Sequence, residues 1–221
     1  MTTNAQATGS VLDGHPSAAA SPAAVKPAAA GQTAWGNTAP LALAAFAVTT
    51  LMLSLINANV FSAKTLPVVF GVGLLVGGAA QLIAGLLQFR IGDTFHGVLF
   101  SAFGAFWVAL YFYLQDYSRE VPAVQAGHAL ALMLIVFGIF AALMLAASFR
   151  TCIATVVGIT VLTATLFELA AANYTGSADL TRAGGWMGIV LAGIAFYLCL
   201  ATVCQASYGR TVVPIGPLAS K

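Results

Sequence analysis

From residue 37 onward the chain alternates long apolar runs with short polar connectors. A helix that crosses a bilayer needs about 20 predominantly apolar residues. Six stretches qualify: Pro40–Asn59, Leu66–Phe89, Phe95–Leu114, Val124–Phe149, Cys152–Ala172 and Gly184–Ala206. Between and beside them lie charges and helix breakers: Lys64 with Pro67, Arg90 with Gly92 and Asp93, Asp116 with Arg119, Glu120 and Pro122, Arg150, and Asp179 with Arg182. The pattern predicts an all-α polytopic membrane protein with six transmembrane helices. It divides the chain into a tail over 1–36, a six-helix domain over 37–209 and a C-terminal tail over 210–221.

The first 34 residues differ in kind, being rich in Ala, Ser, Thr and Pro. They lack the basic stretch followed by a short apolar core that marks a secretory signal. A segment of this composition is expected to be disordered, because it cannot bury enough apolar surface to offset chain entropy. His15 within it is expected to be a solvated tail residue. Six spans place both termini on one side of the membrane. That side carries Lys26, Arg90, Arg150, Arg210 and Lys221, against Lys64, Arg119 and Arg182 opposite. By the positive-inside rule the termini are expected in the cytoplasm, in a cell (inner or plasma) membrane.

Polar residues inside the spans change the picture from a set of anchors to a candidate path. On a helix, Phe46, Thr50, Ser54 and Asn57 share one face. Lipid offers the three polar members no hydrogen-bond partner, so that face looks at protein or water. They are packing polars between helices or the lining of a path, and periodicity alone leaves both open. Gln81, on the stripe from Gly77 to Gly85, is likewise either a helix–helix hydrogen-bonding group or a path-lining amide. Glu168 is the acidic residue set deep within a span, and an intramembrane carboxyl is a functional candidate by default, here as a proton relay. His96 and His128 lie at the starts of spans three and four, where they are ordinary interface residues or pH sensors. Glycines spaced Gly73 to Gly77 and Gly184 to Gly188 mark close helix approach. Cys152, Cys199 and Cys204 show no metal-ligand or disulfide spacing and read as small apolar packing residues.

Composition narrows the function. With 60% apolar residues, 6% charged residues and a formal net charge of +2, the chain is unlike soluble domains, where about a quarter of residues are charged. It also lacks the basic face that nucleic acid requires. No metal-ligand set, nucleophile–base pair or cofactor motif is present, so neither an enzyme nor a cofactor or metal is expected. The expected surroundings are membrane lipid.

Several short motifs carry a family resemblance. Asn37-Thr38-Ala39-Pro40-Leu41-Ala42-Leu43-Ala44-Ala45-Phe46 resembles N-P-A-P-L-G-L-x-G-F, departing from it at Thr38, Ala42 and Ala45. Gly77-Gly78-Ala79-Ala80-Gln81-Leu82-Ile83-Ala84-Gly85 resembles G-G-x-A-Q-x-x-A-G. Gly92-Asp93-Thr94-Phe95 resembles G-N-T-F, and Phe103-Gly104-Ala105-Phe106-Trp107 resembles Y-G-x-F-W. Gly185-Trp186 and Tyr208-Gly209-Arg210-Thr211-Val212-Val213-Pro214-Ile215-Gly216 resemble G-W and F-G-R-T-V-L-P-I-G. In this order they resemble the acetate uptake transporter family, which includes bacterial succinate–acetate permeases and fungal acetate and ammonia-production proteins.

The resemblance implies a homo-hexamer with a separate substrate path through each protomer and a narrow apolar and aromatic constriction. Carried over by residue, that constriction falls on Phe46, Phe103 and Ile159, with Ala195 at a small position linked to which carboxylates pass. The implied function is a membrane transporter or channel for acetate and related short carboxylates, working by proton symport or as an anion channel. The residues are compatible with it. An anion entering a low-dielectric path loses hydration that something must replace. Thr50, Ser54, Asn57 and Gln81 can do so without the tight hold of a Lys or Arg, and no span contains either. Weak binding of that kind suits conduction. A channel for a small neutral solute such as urea or ammonia is the alternative.

Overall fold

The computed structural model describes residues 35–218, so the N-terminal tail with His15 and Lys26, and Lys221, lie outside the described residues. Among the described residues six helices are long and apolar enough to cross a membrane: α1 Ala39–Asn57, α2 Ala63–Arg90, α3 Thr94–Gln115, α4 Ala123–Ser148, α5 Ile153–Thr175 and α6 Ala178–Tyr208. Together they are a multi-pass membrane architecture, and among the described residues no strand is formed.

Local chemistry sets the helix ends. Pro40 opens α1, where its missing N–H costs nothing, and Asn37 Oδ1 accepts from the Ala39 N–H at 2.9 Å. Asp93 caps α3 by accepting from the His96 N–H at 3.1 Å. Gly176 and Gly209 end α5 and α6 in left-handed geometry, with φ of 69° and 66°. Five of the expected spans are recovered with small shifts of their ends, whereas α6 begins six residues before Gly184. Ser177 is the reason: its side chain accepts from the Leu180 N–H at 3.3 Å and starts the helix early. Asp179 and Arg182 therefore lie in the first turns of α6, 3.8 Å apart and exposed, rather than in a connector. At 31 residues α6 is about 46 Å long, so it extends past a hydrocarbon core of about 30 Å and holds those charges beyond it.

Each helix packs on its sequence neighbours, and α6 closes the ring against α1. The outward faces carry large apolar residues such as Leu41, Leu75, Leu132, Leu143, Val190 and Leu200, all more than half exposed. In a membrane this belt faces lipid, which asks no polar partner of it.

Small residues fix how closely the ring closes. Gly85 of α2 lies against the backbone of Ser101 in α3, and a Cβ at Gly104 would fall 2.5 Å from the Leu82 backbone nitrogen. Gly77 meets Thr49 and Trp107, and Gly188 meets the Ser54 hydroxyl. Both glycine pairs flagged by spacing thus sit at helix contacts. Gly85→Val should prise α2 from α3 and cost about 1–3 kcal/mol, as overpacking of a tight contact does. A lowered thermal midpoint in detergent would show it, whereas an unchanged midpoint would mean that this crossing yields easily.

Within α2 the residues Gly73–Ala80 form a π-helical stretch. Such wider turns rotate the next segment of the helix and recur at functional sites. Gln81 is the first residue of that segment.

Candidate functional site

The interior of the ring holds a cavity of about 300 Å³. Its mouth is built from the start of α1 (Asn37), the α2–α3 connector and first turn of α3 (Asp93, His96), the α4–α5 connector (Thr151, Cys152) and the chain after α6 (Ile215, Pro217). All lie at the membrane face where α1 begins and α6 ends. The deep end is formed by Phe46, Gln81, Phe103, Ile159, Leu162, Leu191 and Ala195. From the N-cap Cys152 to Leu162 of α5 the lining extends over ten residue steps, about 15 Å of helix. That is about half the hydrocarbon thickness, so the cavity is a vestibule ending near the middle of the membrane.

Phe103 is 2% exposed and packs edge-on to Phe46, with ring centroids 6.1 Å apart and planes at 75°. It also contacts Phe106, Phe137 and Phe140, at 6.0, 5.9 and 5.9 Å. Held on several sides, it is a fixed wall. Phe46 is only half-buried and borders the vestibule, so it is the freer of the two rings. Ile159 and Ala195, each 4% exposed, complete the floor from α5 and α6. Gln81 is 1% exposed, and its Oε1 is buried without a partner. A buried amide left in that state is uncommon, and this one borders the vestibule.

The vestibule thus brings together Phe46, Gln81, Phe103, Ile159 and Ala195. Thr50, Ser54, Asn57 and Glu168 lie farther along the helices, outside the lining of the vestibule. Thr50 Oγ1 is buried without a partner. Ser54 packs against Gly188, with Thr165 alongside. The backbone of Asn57 packs on Gly185 at the end of α1. Glu168 is half-buried beside Gly184, with its Oε2 buried and unpartnered. His128 is on the opposite membrane face, stacked on Tyr174 with centroids 4.5 Å apart and Nε2 3.1 Å from the Tyr174 carbonyl. Among the described residues no group of three or more His, Cys, Asp or Glu is arranged to hold a metal.

Three features were not read from the sequence. The first is the chain after α6, which folds back on the mouth. The N–H groups of Ile153 and Ala154 donate to the carbonyls of Gly216 and Ile215, at 2.7 and 3.2 Å. The Leu218 N–H donates to Thr151 O at 3.0 Å, and the Tyr197 hydroxyl to Pro214 O. Helix N-termini leave orphan donors; Cys152 supplies no side-chain cap for α5, and the returning chain supplies carbonyls instead. Gly216, at φ 66°, faces Ile153 where a side chain would collide.

The second is Gln88, fully buried, whose amide lies 3.0 Å from Asn37 Oδ1 and 2.8 Å from Thr38 Oγ1. Thr38 Oγ1 in turn reaches the Ala84 carbonyl at 2.8 Å, so a hydroxyl at the motif's departing position ties α1 to α2. The third is a close pair, Asp93 Oδ2 and His96 Nδ1 at 2.7 Å. The hydrogen bond from His96 holds the Asp93 carboxyl below the usual carboxylate range, and burial opposes that only in part.

A six-span helical ring enclosing a vestibule that opens at one membrane face and closes on aromatic side chains defines a membrane transporter or channel. Comparison with known proteins makes this specific. Residues 20–220 match the GPR1/FUN34/yaaH family, and the chain belongs to that family. It is 31% identical over 177 residues to the succinate-acetate/proton symporter SatP of Escherichia coli K12, covering 80% of this chain and 93% of that one. It is 32% identical over 177 residues to ammonia transport outward protein 2 of Saccharomyces cerevisiae, covering 76% and 62%. The solved structure of the bacterial acetate channel SatP superposes with a TM-score of 0.77 at 31% identity, covering 83% of this chain and all of that one.

Proposed function

We propose that this protein passes acetate and related short carboxylates across the cell's inner or plasma membrane, as a homo-hexamer with one path in each protomer and its termini in the cytoplasm. The observation that carries this reading is the character of the vestibule. It is mostly apolar, bears a few uncharged polar groups such as Asn37, Gln81 and Thr155 with the Asp93–His96 pair at its mouth, and among the described residues has no Lys or Arg in its lining. A small amphipathic anion has its methyl group accommodated by such walls and its carboxylate by scattered uncharged polar groups. No permanent cation is present to trap it. Phe46, Phe103 and Ile159 then act as a size filter, and Ala195 sets the room beside them. Thr50, Ser54 and Asn57 line the continuation of the path toward the opposite face. The relatives named for acetate and succinate support this choice of substrate.

The relative named for ammonia transport supports a second reading, a path for a small neutral solute. The apolar constriction suits that as well, because an uncharged solute loses less on leaving water.

Glu168 is the candidate proton carrier: its Oε2 is buried without a partner, and an ionisable group so placed within a membrane span calls for a functional explanation. Acetate accumulation in proteoliposomes under an inward proton gradient tests it. Symport predicts accumulation above equilibrium for the native chain, reduced in Glu168→Gln to equilibration without accumulation. Full accumulation by that variant would remove Glu168 from the pathway, and equilibration by the native chain as well would make the protein a channel.

A further inference from the structure

We propose that His96, held by Asp93, is a protonation-controlled docking site for the carboxylate group at the mouth of the vestibule. The proposal deepens the carboxylate reading of the site and rests on it.

The geometry defines which nitrogen is available. Asp93 Oδ2 engages His96 Nδ1 at 2.7 Å, while Asp93 Oδ1 accepts from the backbone N–H of His96 at 3.1 Å. The ring is held in place by two aromatic contacts, stacked on Phe100 with centroids 5.3 Å apart and edge-on to Phe95 at 5.1 Å. Nδ1 is thus committed to Asp93, and Nε2 is the nitrogen left to a ligand. Both Asp93 and His96 line the vestibule. Gln81, almost fully buried with an unpartnered oxygen, stands at the far end of the same cavity as a second polar station.

The two protonation states behave oppositely toward an anion. With the imidazole neutral and its proton on Nδ1, the pair carries the full charge of Asp93. Nε2 then presents a lone pair, so charge and lone pair both repel a carboxylate. With the imidazole protonated, the pair is neutral overall and Nε2–H is a charge-assisted donor to a carboxylate oxygen. Asp93 stays ionised because the hydrogen bond from His96 favours its charged form, and the imidazole is the other ionisable group of the pair. Histidines as a class change charge between about pH 5 and 8.

Among the described residues no charged side chain other than Asp93 lines the mouth beside His96, and Arg150, which precedes Thr151 in the α4–α5 connector, is exposed. Around the mouth, α1 contributes Asn37, the start of α5 contributes Thr151 and Cys152, α6 contributes Thr202, and the returning chain contributes Pro217. Of these only Cys152 bears an ionisable group, and its Sγ lies 3.1 Å from Thr155 Oγ1. Arg90, the charge next to this connector, is exposed with its guanidinium 5.2 Å from the Trp35 ring.

Two measurements on the full chain test the proposal. The first is acetate flux in proteoliposomes at equal pH on both faces and constant anion concentration, with the leak of protein-free vesicles subtracted. The expected result is a fall of about tenfold as pH rises from about 5.5 to 8, as charge repulsion at the mouth takes over. His96→Gln should give a flat profile, and Asp93→Asn should keep flux at the alkaline end, because the repelling charge is gone. The second is titration of ¹⁵N-labelled imidazoles in the detergent-solubilised protein, with the His96 signal assigned by its absence in His96→Gln. Sodium acetate should move that midpoint to higher pH, whereas sodium chloride at equal strength should not.

A His96→Gln variant with the native pH profile would overturn the proposal. So would a His96 signal indifferent to acetate in a protein that carries acetate. A signal that responds to acetate in a protein that carries none would leave the docking site standing and remove the transport reading. Absence of both flux and response would remove both.

Discussion

Phe46→Ala raises passage of propionate and succinate relative to acetate by about tenfold, a relative barrier lowered by about 1.4 kcal/mol. Phe46 is the half-buried ring at the floor of the vestibule, in edge contact with Phe103. Removing it opens the floor while leaving the packed cluster of Phe103, Phe106, Phe137 and Phe140 in place. The same substitution at Phe103 is a poorer test. Phe103 is 2% exposed and touches four aromatic rings, and truncating a phenylalanine so placed costs about 3–5 kcal/mol of stability. Selectivity and folding would then change together. Competition among labelled acetate, propionate and succinate in vesicles reads the ratio directly. An unchanged ratio for Phe46→Ala would mean that the ring is not the filter.

Ala195→Phe gives the opposite result and a larger one: flux falls to the leak of protein-free vesicles. Ala195 is 4% exposed and faces the deep end of a cavity of about 300 Å³. A phenyl ring there fills the space beside Ile159 and Phe46. Overpacking costs about 1–3 kcal/mol where a core is already tight, but here the ring enters a void, so the variant should fold and be blocked. Ala195→Gly is the control, with flux at or above the native rate. Undiminished flux through a folded Ala195→Phe protein would place the path elsewhere.

The spans were legible because lipid imposes a simple rule: about 20 apolar residues with the backbone bonded internally. Five spans shifted little at their ends. The sixth moved because Ser177 caps a helix whose first turns are charged, and hydropathy does not register a cap. The face of α1 was legible too, since Phe46, Thr50, Ser54 and Asn57 follow helical spacing, but depth along that face was not. Periodicity says which way a side chain points, and only the splay of six helices says where the vestibule stops.

The returning chain was invisible for a different reason. Its bonds use backbone carbonyls of Ile215 and Gly216, which any sequence possesses. What points to them is the glycine at positive φ and the uncapped start of α5. The Asp93–His96 pair left a fainter trace: an acidic residue at a helix N-cap with a histidine three positions on, a spacing that lets one carboxylate meet both the backbone and the ring.

A short carboxylate should cross through this protein. That passage is read by the rate at which labelled acetate enters proteoliposomes down a fixed gradient, compared with protein-free vesicles and with excess unlabelled propionate or urea present. The prediction is entry about tenfold or more above the leak, an added path worth at least about 1.4 kcal/mol of barrier. Propionate should suppress it and urea should not. Acetate entry no faster than the leak, from a folded protein that passes ammonia or urea, would contradict the account and establish the neutral-solute path in its place.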